Sequence, residues 1–260
     1  MSREQSVSSP ESLFQESADR LERFSQPPSN QVALAAWLDL RARDFESVAV
    51  FVAIAKGAWA EYRNYLRQSG DCIKRIFEIA EEGAEVSTSL LSMSGMWSMF
   101  LSLASGDMAL SRALAAKFGG RDAIEKEHDL PFTRAMGYLV RDAILESAPL
   151  IERIGALETA CKRAGVREFS GYVQAFAGME DGDSKKIQAG LERVIAEYPR
   201  LARPNRYFFA QSDKFLCLWG IGVANLALER GLLVMPIPPL IPAEALSNAN
   251  PASKKKSPKP

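Results

Sequence analysis

Histidine is almost missing from this chain. Only His128 occurs in 260 residues, which excludes any metal site needing two imidazoles and weakens every Cys–His nucleophile pair. Glu125-Lys126-Glu127-His128 has the Glu-x-x-His spacing of di-iron helical bundles, but those need a second copy on a facing helix, and none can exist here. A solvated charged turn is the better reading. Cysteine is sparse too: Cys72, Cys161 and Cys217 lie far apart, are odd in number and form no CxxC pair. Within apolar helical patterns such thiols act as small hydrophobes, which fits a reduced, cytoplasmic protein.

Long apolar runs are lacking as well. Phe215 to Leu228 is the longest, and Glu229 and Arg230 end it after 14 residues, whereas a membrane span needs about 20. The opening MSREQSVSSPESLFQES puts charges and serines where a secretory signal needs an apolar core, which argues against that route. No GxSxG elbow, phosphate-cradling glycine loop or dinucleotide fingerprint is present. Ser253-Lys254-Lys255-Lys256 matches the Ser-x-x-Lys pattern of acylating enzymes, but in a tail that cannot hold a nucleophile in place. The chain therefore reads as non-enzymatic, with no cofactor or metal. An all-α enzyme of an unrecognised type would need a deep pocket with convergent polar groups.

Charge of one sign is not in excess: 32 basic residues balance 32 acidic ones. Nothing global points to nucleic acid or an anionic membrane. The balance is uneven, because Lys254, Lys255, Lys256 and Lys259 lie in the last ten residues and leave the body with 28 basic against 32 acidic, or −4. Residues 1–30 read as a polar, mobile leader with one helical turn around Ser12 to Phe24. Residues 248–260 read as a disordered basic tail, since nothing there offsets the entropy of ordering. The folded body is a single domain over residues 31–247.

What is present is helical periodicity. Phe45, Val48, Val52, Ala55, Trp59, Tyr62 and Leu66 recur in steps of 3 and 4, one stripe on a helix about six turns long. Asp44 stands where an N-cap belongs, and Ser69-Gly70 reads as the stop. The next helix turns Ile73, Ile76, Phe77 and Ala80 inward. Further helices are predicted over 96–105, 107–118, 132–146, 149–164, 167–178, 183–198 and 213–230, with stops at Gly165 and Pro199 and a cap at Asp213. Leu150, Ile151, Ile154, Leu157 and Cys161 make the inward stripe of one of them. No period-two strand is found, so the fold class is all-α.

Two junctions share one grammar. Gly106-Asp107 and Gly182-Asp183 each combine a residue suited to a left-handed C′ position with a carboxylate able to cap the next helix. An irregular stack of antiparallel helical hairpins around one core follows. At the end, Gly220 and Gly222 allow close approach to a central helix and Gly231 stops it. Pro236, Pro238, Pro239 and Pro242 force an extended strip, with Pro242 in the first turn of a short closing helix.

Two groups are candidate partner-binding residues. Glu78, Glu81, Glu82 and Glu85 form an acidic helix side, which is either a docking face or an ordinary solvated one. Tyr207 and Phe208, with Phe209, are consecutive aromatics that cannot all face inward on one helix, so one packs against another segment or a partner.

The stretch "LALERGL", the extended strip and "IPAEAL" resemble the C-terminal end of the Imm49-type immunity proteins of bacterial polymorphic toxin systems. Asp44-Phe45-Glu46-Ser47 followed by "FVAIAKGAWAEY", and "LSLASGDMALSRALAAKFG" with its Gly106-Asp107 turn, are similar to that family too. The likeness spans residues 35 to 247 and leaves out the leader and the lysine tail. It implies a cytoplasmic all-α protein that binds and neutralises a cognate toxin by occlusion, with no catalytic residues. A general helical scaffold or adaptor is the competing reading, and the oligomeric state is open.

Overall fold

The computed structural model describes residues 10–202 and 212–247. Among these residues there are eleven α-helices and no β-strand, the only pairing being a single Ile237–Ile241 bridge. The helices are α1 Pro10–Arg23, α2 Gln31–Lys56, α3 Trp59–Glu81, α4 Trp97–Ala104, α5 Met108–Lys117, α6 Asp122–His128, α7 Pro131–Leu145, α8 Ile151–Ala164, α9 Ser170–Asp181, α10 Ser184–Leu201 and α11 Leu218–Glu229. The all-α expectation holds. Chain neighbours pack as hairpins (α2 with α3, α7 with α8, α9 with α10), and α11 lies against α4. No helix among the described residues is long and apolar enough to cross a membrane.

Both Gly-Asp turns form as their residues dictate. Gly106 and Gly182 are left-handed at φ 77° and 67°. The Asp107 carboxylate accepts from Leu110 N, and that of Asp183 from Lys185 N and Lys186 N, satisfying amides that have no partner within the helix. The α9–α10 hairpin closes tightly for a second reason. A Cβ on Gly190 would sit 2.5 Å from Ala175 N, and one on Gly171 would sit 2.6 Å from Gly190 O. The two backbones touch there, and no side chain fits between them.

The first half of the chain corrects three expectations. The break in the long stripe falls at Gly57, left-handed at φ 63°, so Phe45, Val48 and Val52 lie on α2 while Tyr62 and Leu66 lie on α3. All five are buried in the same core, because the turn folds one stripe back on itself. Gly70 does not stop a helix. It lies inside α3, where an added Cβ would meet Leu110 Cδ2 at 2.8 Å. Asp44 is not a cap but a buried mid-helix residue, and Asn30 caps α2 instead, accepting from Val32 N and Ala33 N.

The leader is also more ordered than its composition suggests. Residues 10–23 form α1, which packs on α2 through the stacked rings of Phe14 and Phe51, centroids 3.9 Å apart. Arg20 Nε donates to Asp44 Oδ1 at 2.9 Å, and Trp37 Nε1 donates to Phe24 O at 2.9 Å. The lysine tail and residues 1–9 lie outside the described residues.

Later boundaries differ in detail. Pro199 lies within the last turn of α10, which runs on to Leu201. α11 starts at Leu218, five residues beyond Asp213, with Cys217 at its N-cap position. Ile151 opens α8 facing outward at 64 % exposure, while Ile154, Leu157 and Cys161 are buried as the stripe requires; Gly165 ends the helix.

α11 is buried on nearly every side, which explains its lack of a polar face. A Cβ on Gly222 would lie 2.7 Å from Phe100 O, and Phe100 stacks on Trp219 at 4.4 Å. Asn225 is its one buried amide side chain. Asn225 Nδ2 donates to Leu103 O at 3.0 Å, and its Oδ1 accepts from Ser247 N at 2.9 Å. Residues 232–247 thus close over α11, ending in a one-turn 3-10 helix at Ala243–Ala245, which Pro242 immediately precedes.

Candidate functional site

The acidic group singled out from the sequence is largely matched within the chain. Glu78 pairs with Arg75 at 3.3 Å, Glu82 with Arg75 at 2.6 Å and Glu81 with Lys117 at 2.5 Å. Glu85 lies beyond α3 on the exposed loop that follows it. The four carboxylates therefore do not make one free acidic face. Tyr207 and Phe208 lie outside the described residues. His128 ends α6 with Nε2 2.6 Å from Thr88 Oγ1, and no group of three or more His, Cys, Asp or Glu able to hold a metal occurs among the described residues. Burial pushes the Cys72 and Cys161 thiols up to about 11, so neither is a ready nucleophile.

A different constellation is built by α6, α7 and α8. Arg134, Tyr138 and Arg141 follow one another on α7 at helical spacing and so share a face. Beneath them Glu125 of α6 is only 1 % exposed, which corrects the solvated turn expected for Glu125 to His128, and three donors satisfy it through four contacts. Oε1 takes Arg121 N at 3.1 Å, Oε2 takes Arg134 Nε at 2.8 Å, and Tyr138 Oη lies 3.0 Å from each oxygen. Burial lowers the Arg134 pKa, but the hydrogen bond and charge of Glu125 outweigh it and raise the net value. Arg134 stays charged.

Asp142, also buried, repeats this arrangement one turn on. It accepts from Arg153 Nε of α8 at 2.7 Å and from Arg141 at 3.1 Å. The Arg153, Arg134 and Arg141 guanidiniums then lie 4.9, 5.8 and 5.9 Å from the centre of the Tyr138 ring. Buried carboxylates thus fix the positions of three guanidiniums around one aromatic ring. An open groove of about 980 Å³ runs over this cluster, with Gly155, Ala156 and Thr159 of α8 along one wall. Lys126 and Arg163 also line it, and neither has an ion pair among the described residues.

α8 divides this groove from a second cleft of about 730 Å³ against α9 and α10. A third pocket, about 380 Å³ between α1 and α2, is walled by Phe14, Val50, Phe51 and Ile54. Glu46 stands near it, half-buried, with Ser212 Oγ donating at 3.4 Å. Desolvation pushes the Glu46 carboxyl up to about 7 against the opposing effects of Arg43 and Ser212.

The sequence carried only part of the Arg–Tyr cluster. The Arg134, Tyr138, Arg141 spacing was readable on α7, but Glu125 and Arg153 join from helices whose approach no local pattern encodes. No protein-family model, no curated protein and no solved structure matches this chain.

Proposed function

We propose that this chain is a cytoplasmic, non-catalytic protein that binds a cognate protein toxin and neutralises it by covering its active site or substrate path. The observation that carries this reading is the groove over α7 and α8, whose Arg134, Tyr138 and Arg153 are held in place before any partner arrives. Arginine and tyrosine are, with tryptophan, the side chains enriched at the energetic centre of protein interfaces, and fixing them in advance removes ordering cost on binding. The buried carboxylates support a binding role over a catalytic one. Glu125 already accepts from Arg121, Arg134 and Tyr138, and Asp142 from Arg141 and Arg153, so each serves to position arginines. The resemblance of the α4–α5 and α11 segments to immunity proteins supplies the toxin as partner.

The test is to look for a toxin gene beside the gene for this chain and to co-express the two; a neighbourhood without one overturns the proposal. Relief of growth arrest by the wild type is expected. G155W should lose that relief and keep its thermal midpoint, because a Cβ on Gly155 meets no heavy atom within 4 Å and the indole would fill the groove. Arrest that persists with the wild-type chain overturns the proposal.

A further inference from the structure

The cleft on the other side of α8 has no part in the arginine–tyrosine cluster, yet it is more strongly one-signed. Its walls carry Lys162, Arg167, Lys186 and Arg193 against one carboxylate, Glu158. Lys162 pairs with Glu158 at 3.0 Å and Lys186 with Asp181 at 2.6 Å. Arg167 and Arg193 have no ion pair and no side-chain hydrogen bond among the described residues. They reach the same cleft from different elements, Arg167 from the one-turn segment before α9 and Arg193 from α10. Ser170, the first residue of α9, also lines it, and its Oγ is buried with no hydrogen-bond partner. A buried hydroxyl left unbonded costs stability unless a ligand satisfies it. Two free guanidiniums and this hydroxyl converge on a cleft whose floor, Ile154, Cys161, Val173 and Ala177, is apolar.

We infer that the α8–α9–α10 cleft seats an acidic polypeptide segment of the partner, with partner carboxylates bridging Arg167 and Arg193 and accepting from Ser170 Oγ. The partner identity rests on the reading proposed above; the carboxylate chemistry does not. Guanidiniums match carboxylates in shape as well as charge. Phosphate would satisfy the same donors, but a single-stranded nucleic acid also needs faces for its bases to stack on, and no aromatic side chain lines the cleft. Glu158 and Asp181, beside the two lysines, would repel a continuous run of phosphates. The apolar floor suits aliphatic side chains between carboxylates.

Fluorescence anisotropy with a labelled peptide of mixed Glu, Asp and Leu tests this on the full chain at low salt. The wild type should bind, R167E/R193E should bind at least about tenfold more weakly, the loss of roughly one charge-assisted contact, and S170A should bind several-fold more weakly. Circular dichroism melts verify that both variants remain folded. Reversed cations elsewhere, as in K185E, should leave affinity unchanged, and equal loss there would overturn a built site in favour of diffuse attraction. Tighter binding of an oligodeoxythymidylate of matching length would also overturn it, as would full peptide affinity in R167E/R193E. If peptide binding depends on these residues but no toxin is neutralised, the cleft stands and the toxin reading falls. If neutralisation survives R167E/R193E, the toxin reading stands and the cleft falls.

Discussion

At the scale of single residues, context overrides local grammar wherever a charge is buried. Asp44 has the type and place of an N-cap, yet Arg20, 24 residues earlier, makes it a buried counter-ion within α2. Such a pairing leaves no mark in a local pattern, and the same holds for Arg153 reaching Asp142. Glu46 gives a pH prediction at this scale. Desolvation holds its carboxyl up at about 7 in the fold, above its ordinary 4.5. The folded state therefore binds the proton more tightly, and this group's contribution to stability falls as pH rises from about 4.5 to about 7, then stays level. E46Q should be more stable than the wild type at pH 8, by on the order of 1–2 kcal/mol after allowing for partial exposure. The difference should shrink towards pH 5, as urea melts at the two pH values would reveal.

Among elements, helices were legible and their breaks only in part. Of the stripe from Phe45 to Leu66, Phe45, Val48, Val52, Tyr62 and Leu66 are buried, on two helices, while Ala55 beside the turn is exposed; the Gly-Asp junctions fold as read. Gly57 and Gly70 look alike in a sequence, yet Gly57 is left-handed at φ 63° and turns the chain while Gly70 stays helical with Leu110 packed against it. α1 was read only as one helical turn in a mobile leader, because its full length and docking depend on Asp44 and Phe51, both on another helix. D44A should release it, seen as faster tryptic cleavage after Arg20 and Arg23 at a cost of about 2 kcal/mol in stability. The helical glycines divide in the same way. G190A puts a methyl against the α9 backbone and should destabilise by about 3 kcal/mol or more. G155A meets nothing and should stabilise by about 0.5–1 kcal/mol. Thermal melts of the two variants should move in opposite directions.

For the whole molecule, a formal charge of zero conceals a separation of function. Carboxylates on α3 are matched locally, while Lys126, Arg163, Arg167 and Arg193, on either side of α8, have no ion pair among the described residues. Raising salt from low ionic strength to about 1 M shortens the screening length to about 3 Å. Affinity for the acidic peptide should fall steeply over that range while the thermal midpoint moves little, since most ion pairs here are exposed.

Asn225 ties the last described residues to the centre of the fold, joining Leu103 on one side and Ser247 on the other. During synthesis the N-terminal helices emerge first and can pair early. α11, apolar nearly all round, emerges before the strip that closes over it. A nascent chain paused before residue 247 can already seat that helix on α4, but the side that residues 232–247 cover stays open to water until they are made.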